Sequence, residues 1–378
     1  MEKIISQLNV SNNSNTYKKI KSYLNIIIGK GIAGTVYKLS KTTDIAVKVQ
    51  KNKFNNVYVR RINKKKYVKY FIHSVIISII HHMYLSSIYD GIKCNQIIYH
   101  CINFVKYYNH FIYVKDDKIR SYLFIELLEN KFESEICSNI YELESFTVQV
   151  LLTLLISQNE FQFTHNDLHK NNIMYIDKSK ITYRGKQISD CLLYNVFGFE
   201  IYIKSKYIFK LTDLDVSCKF HGNNDKEEYI SDKLYNYKRE SKTTKFLPSF
   251  DILFYLSLIP LSVYEKSKFL TELIVQITNH IFKNLIPEDQ ILNLIIKRGI
   301  FYNKDGANRP FFYVSMFDVS SIILKCIYKY FNTKFHNNVT EICYYPFQVK
   351  DLKYTSENYV KKMDIQRKLI LKNIYKYI

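Results

Sequence analysis

A chain of 378 residues with 47% hydrophobic residues can bury a real core in one large or two medium domains, which excludes an intrinsically disordered protein. The net charge of +21 is spread along the chain instead of gathered in one block. With abundant Asn, Ile and Tyr and no Trp, it reads as AT-rich coding bias more than as a dedicated nucleic-acid surface, while leaving room for acidic partners. Seven cysteines without a CxxC pair exclude a zinc ribbon or a dithiol redox motif and read as reduced thiols of an intracellular protein.

Residues 1–20 are polar, with an Asn/Ser-rich run at 9–16, and are expected to form a loose tail that lacks the apolar core of a secretory signal. From Tyr23 onward, apolar runs at 24–28, 36–39 and 45–49 alternate with Gly, Lys and Thr clusters, the pattern of antiparallel strands with tight turns. After a basic stretch at 51–66, Ile72, Val75, Ile76, Ile79 and Met83 recur at helical spacing. Strands are expected at 111–114 and 122–127, and helices at 143–158 and through 251–281. Apolar runs such as 252–264 fall short of a bilayer span, so a soluble chain without a transmembrane segment is expected. The alternation of basic and apolar residues at 361–378 reads as an amphipathic surface helix. Strands first and helices later predict an α+β protein, with a small β-rich lobe over 21–126 and a larger helical one over 127–378.

Four motifs carry chemistry. Gly29, Lys30, Gly31, Gly34 and Val36 belong to a GxGxxGxV run between two strands, where glycine lets the backbone bend sharply and approach phosphate oxygens. Lys48 ends the apolar Ile45-Ala46-Val47 strand, placed to reach the phosphates of a nucleotide under that loop. In His165-Asn166-Asp167-Leu168-His169-Lys170-Asn171-Asn172, Asp167 can take the proton of an attacking hydroxyl while Asn172 turns back toward a metal. In Phe209-Lys210-Leu211-Thr212-Asp213-Leu214-Asp215, a short strand ending in two carboxylates, Asp213 supplies the opposing oxygen ligand for magnesium, with Asp215 as the alternative ligand or a turn residue.

In this order these motifs resemble the protein-kinase superfamily over residues 24–260. The wording HNDLHxNNIM and the tyrosine-rich insert before Asp213 look most like the divergent serine/threonine-protein kinases of large DNA viruses of the mimivirus type. The resemblance implies a bilobal kinase fold, ATP and magnesium as cofactors, a protein hydroxyl as acceptor, and residence in the host cytoplasm or virion. It also implies that Asp251 is a buried helix carboxylate bracing the catalytic loop, a position where a helix N-cap reads equally well.

Several residues depart from the family. No Asp or Glu occurs from Val49 to Tyr89, so the usual helix partner of Lys48 is missing. His73 or a backbone group substitutes, or Asp213 and the phosphates hold Lys48 alone, or the enzyme is weak or inactive, as in a pseudokinase that acts as a binding module. His169 stands where serine/threonine kinases carry Lys and is similar to the His of aminoglycoside and choline kinases, which keeps a small hydroxylated acceptor open. Asn166 replaces the Arg that clamps a phosphorylated loop, so activity is expected without phosphorylation of Ser231, Tyr235, Ser241, Thr243 or Thr244. Leu214-Asp215 replaces Phe-Gly, which is expected to stiffen that turn.

Overall fold

The computed structural model describes residues 13–30, 34–39, 44–53, 71–72, 74–115, 118–128, 130–131, 139–169, 171–215, 217–220, 227–231, 249–282, 318–334 and 338–349. Gly31, His73, Lys170, Tyr235, Ser241, Thr243, Thr244, most of the basic stretch and the terminal segment 361–378 lie outside them.

The chain opens with helix α1 (Ser14–Ser22), which corrects the expected loose tail over those residues. Asn13 accepts from the backbone N–H groups of Asn15 and Thr16, so the Asn/Ser run acts as an N-cap. Strands β1 (Ile26–Lys30), β2 (Gly34–Lys38) and β3 (Ile45–Lys53) follow. Next come β4 (Phe71–Ile72), helix α2 (Ser74–Asp90) and the hairpin β5 (Ile92–Cys94) and β6 (Ile97–Cys101), then β7 (Tyr107–Lys115) and β8 (Lys118–Glu126). The first sheet runs β1-β2-β3-β8-β7, antiparallel throughout. Because strand side chains alternate, Val47, Val49, Phe111, Tyr113, Tyr122 and Phe124 face one side, where Ile20 of α1 joins them and Tyr17 stacks on Tyr113 at 4.5 Å. Ala46, Ile112, Leu123 and Ile125 face the other side, into the main core with Ile79 and Ile80 of α2.

Strand β9 (Asn130–Lys131) precedes helix α3 (Ile140–Phe161). With 22 residues and a mean hydropathy of 1.4 over its most apolar window, α3 is long and apolar enough to cross a membrane, contrary to the expectation that every apolar run falls short. Most of that window is buried inside the protein, as in a central core helix.

The remaining strands are β10 (Phe163–Thr164), β11 (Ile173–Asp177), β12 (Thr182–Tyr183), β13 (Lys186–Gln187), β14 (Cys191–Val196), β15 (Phe199–Lys204), β16 (Tyr207–Leu211), β17 (Cys218–Phe220) and β18 (Glu227–Ser231). Ser231, one of the expected dispensable phosphorylation positions, therefore ends a strand. Helices α4 (Phe250–Leu256), α5 (Leu261–Tyr264), α6 (Lys268–Phe282) and α7 (Ser320–Phe331) lead to β19 (Val339–Tyr345). The stretch expected to be helical through 251–281 is built as three helices. Pro260 cannot donate to a preceding turn, and the Ser267 hydroxyl accepts from Leu270 N–H to start α6 afresh.

A second five-stranded sheet, β15-β14-β19-β6-β5, was not foreseen from the sequence, and three of its strands lie in the part expected to be mainly helical. Its β14 and β19 pair in parallel, and β6 lies antiparallel to β19. One sheet therefore draws strands from both sides of position 126. Among the described residues Cys94, Cys101, Cys191, Cys326 and Cys343 are free thiols.

Candidate active site

Register assembles the first part of the site. Val36 lies directly across from Lys48 and Gly34 across from Gln50, while Gly29 pairs with Val36 and Lys30 with Thr35. With Val47 and Val49 committed to the outer core, Lys48 and Gln50 share the inner face of β3. Gly34 is also demanded by packing, since a methyl group there would run into the Val49 carbonyl.

The Lys48 side chain reaches the loop after β16. Its Nζ donates to Asp213 Oδ1 at 2.6 Å and to Asp215 Oδ1 at 2.8 Å. Gln50 Nε2 donates to Asp215 Oδ2 at 2.5 Å, and the Ser121 hydroxyl lies 3.5 Å from Gln50 Oε1. The two carboxylates, weighed as alternatives from sequence, both meet the lysine but in different surroundings. The Asp213 side chain keeps 39% of its surface exposed and that of Asp215 only 6%. Burial alone would push the Lys48 ammonium down, but the two carboxylates outweigh it and hold its pKa above the ordinary lysine value. For Asp213, burial pushes upward and the Lys48 charge pulls further down, leaving the carboxyl at about 2.

The loop from His165 to Asn172 lies beside this cluster. Asn172 Nδ2 donates to the Asp167 carbonyl at 2.9 Å and approaches Asp167 Oδ2 at 3.4 Å, leaving its own Oδ1 as the atom suited to meet a cation. The Asp167 carboxylate is 32% exposed, with His169 Nε2 3.8 Å away. Because Asp167 N–H donates to His165 Nδ1, the ring proton sits on Nε2, which donates to the Thr212 carbonyl at 2.7 Å. His165 therefore ties the Asp167 loop to the residue before Asp213. Below it, Asp251 in the first turn of α4 accepts from His165 N–H at 2.6 Å and Asn166 N–H at 3.0 Å. Ser249 holds the N-cap position, so the brace implied by the resemblance is the arrangement found.

Asn166 and Asp213 both adopt left-handed backbone, at φ 66° and 60°. Side chains of this type tolerate the conformation at a cost of about 1 kcal/mol, and such residues gather at sites where geometry is imposed by function.

Helix α2 brings histidines, not carboxylates, to this region. His81 Nδ1 lies 2.5 Å from the Ser217 hydroxyl, and His82 Nδ1 donates to the Ser78 carbonyl at 2.7 Å. Burial pushes His82 down to about 4, so it is neutral at pH 7. On the far side of the site, the fully buried Lys210 of β16 pairs with Glu126 at 2.8 Å and sits over the Tyr89 ring, joining β8, β16 and the end of α2.

Sequence reasoning missed Gln50, His165 and the joint role of Asp215. A signal existed for Gln50, two residues from Lys48 on one strand and hence on its face.

No family model matches the chain. A Dictyostelium discoideum protein described as a probable serine/threonine-protein kinase is 40% identical over 62 residues, which is 15% of this chain and 5% of that protein. The chain thus spans a small fraction of that relative, and the likeness to a kinase is local.

Proposed function

We propose that the chain is an ATP-dependent phosphotransferase of bilobal protein-kinase-like fold that transfers the γ-phosphoryl group to a serine or threonine hydroxyl of a protein. The observation that carries this reading is the meeting of Lys48 with Asp213 across 165 positions of sequence, beside a bonded Asn172–Asp167 pair. In it, the sheet of β1, β2, β3, β7 and β8 with α2 is the small lobe over 21–126, and 127–378 is the large lobe. The local likeness to a kinase adds support. The finer likeness to kinases of large DNA viruses rests on the HNDLHKNNIM wording and the insert before Asp213.

ATP and magnesium are part of the proposal, and the donor set suits them. Gly29, Lys30, Gly34 and Val36 flank the stretch that would cover the phosphates, and Lys48 would meet the α- and β-phosphates. Asp213, ionised at any working pH and partly exposed, and Asn172 offer hard oxygens of the kind magnesium takes. Among the described residues no three His, Cys, Asp or Glu side chains gather into a metal site. When bound, magnesium supplies neutralisation of phosphate charge. The chain's own residues do the rest: Asp167 orients the acceptor hydroxyl and takes its proton as the oxygen bonds to the γ-phosphorus and ADP departs. Lys48 holds the phosphates in line, and His165 and Asp251 fix the loop.

The test is phosphotransfer from labelled ATP by purified protein and by Asp167→Asn. Loss of a general base is expected to cut turnover by about 10²–10⁴-fold with nucleotide binding retained. Full turnover in the variant would show Asp167 misassigned. One observation favours a second reading, a small hydroxylated acceptor: His169, in place of the family's Lys, lies beside Asp167. Labelling of small alcohols but not of casein-like proteins would select it, and nucleotide binding without any turnover would select a binding module.

A further inference from the structure

We infer that Asp215 is a positioning residue, the buried carboxylate that keeps Lys48 in place when Asp213 turns to magnesium and nucleotide. This rests on the phosphotransferase reading and replaces the missing helix carboxylate with one carried on the loop after β16.

The two acids next to Lys48 are built for different tasks. Asp213 is partly exposed, stands in left-handed backbone, and among the described residues is bonded through Oδ1, with Oδ2 suited to a cation. Asp215 is 4% exposed and commits both oxygens, Oδ1 to Lys48 and Oδ2 to Gln50. A carboxylate so enclosed is poorly placed to bind a metal and well placed to hold an ammonium. Its backbone is fixed as well. Leu214 is buried in the main core, the Ser217 hydroxyl donates to the Leu214 carbonyl at 2.7 Å, and His81 of α2 holds Ser217 from the other side.

Among the described residues the charged and titratable groups facing Lys48 are Asp213 and Asp215 from the loop and His82 from α2, the last adding a small electrostatic effect. The pair that positions the lysine lies entirely between β3 and the 213–217 loop. Lys48 is placed without any helix acid having to swing inward, so the site is assembled before nucleotide arrives.

The test uses the full chain and two readouts. The first is acylation of Lys48 by acetic anhydride at pH 9 without nucleotide, followed by mass spectrometry, in wild type, Asp215→Asn, Gln50→Leu and Asp213→Asn. Removing the Asp215 charge leaves the Lys48 amine less firmly held as the ammonium, so acylation is expected to rise about tenfold. Gln50→Leu is expected to act in the same direction, about threefold, on the same scale. The second readout is KM for magnesium-ATP against kcat, where Asp215→Asn is expected to raise KM about tenfold and lower kcat less. Wild-type acylation and KM in Asp215→Asn, with Asp213→Asn alone raising acylation, would overturn the inference. Should Asp215→Asn lose its cooperative thermal unfolding, Gln50→Leu decides, and an unchanged acylation rate there overturns it. A wild-type protein that transfers no phosphate while Lys48 acylation still responds to Asp215→Asn would reject the phosphotransferase and leave the Lys48–Asp215 hold standing.

Discussion

Replacing Asp251 by Asn is expected to loosen the loop that carries Asp167 without touching Asp167 itself. The Asp251 carboxylate is 1% exposed and accepts two backbone N–H bonds, from His165 and Asn166, which are themselves buried. An amide can accept one of them and must turn its NH₂ group toward the other, leaving a buried donor facing a donor. One unsatisfied buried group costs about 1–3 kcal/mol, and loss of the charge-assisted character of the remaining bond adds about 1 kcal/mol. Burial also pushes the Asp251 carboxyl above the usual range, so its ionised form already burdens the fold and part of the loss is offset. A net destabilisation of about 2–3 kcal/mol follows, a large share of the ~5–15 kcal/mol that holds most domains together. The assay is urea unfolding together with hydrogen exchange of the peptide spanning 163–168. The variant should unfold at lower urea, and that peptide should exchange about 30- to 160-fold faster, the same free energy expressed as a local opening constant. Unchanged exchange at 163–168 would refute the idea that Asp251 braces this loop.

Other outcomes can be checked alongside it. Gly34→Ala should cost about 1–3 kcal/mol in urea unfolding, because its methyl group meets the Val49 backbone. Gly29→Ala should cost under about 1 kcal/mol, the nearest atom there being Val36 Cβ at 3.8 Å; equal losses would contradict the packing. Burial pushes His82, His100 and His110 each down to about 4. The unfolded chain therefore binds these protons first, and stability is lost as pH falls from about 6.5 toward 4, at up to about 4 kcal/mol per pH unit for three protons. Thermal unfolding followed across that window should show the fall, and a flat profile would mean these rings are not held neutral.

Short-range chemistry was the legible part. The glycine loop, the Lys48 strand and the 165–172 loop each fit within ten residues, and strand register then carries Val36 to Lys48 without further information. What stayed hidden depends on distant partners. The parallel pairing of Cys191 with Val339 builds a sheet whose strands look unremarkable alone, because no local pattern states which edge they will meet. The Asn/Ser run before α1 reads as a tail until Tyr17 and Ile20 find the outer face of the first sheet. Asp213 and Asp215 looked like alternatives because sequence spacing does not say which way a turn points its side chains. The break at Pro260, in contrast, is readable from proline's missing donor.

The most direct measurement is magnesium-dependent transfer of the γ-phosphate of labelled ATP to generic protein substrates, comparing the wild-type chain with Asp213→Ala. Transfer by the wild type that drops to background in the variant, with the variant still folded, is the expected result. Equal transfer by both, or none by the wild type under any divalent ion, would contradict the convergence of Lys48, Asp167, Asn172 and Asp213 on one triphosphate.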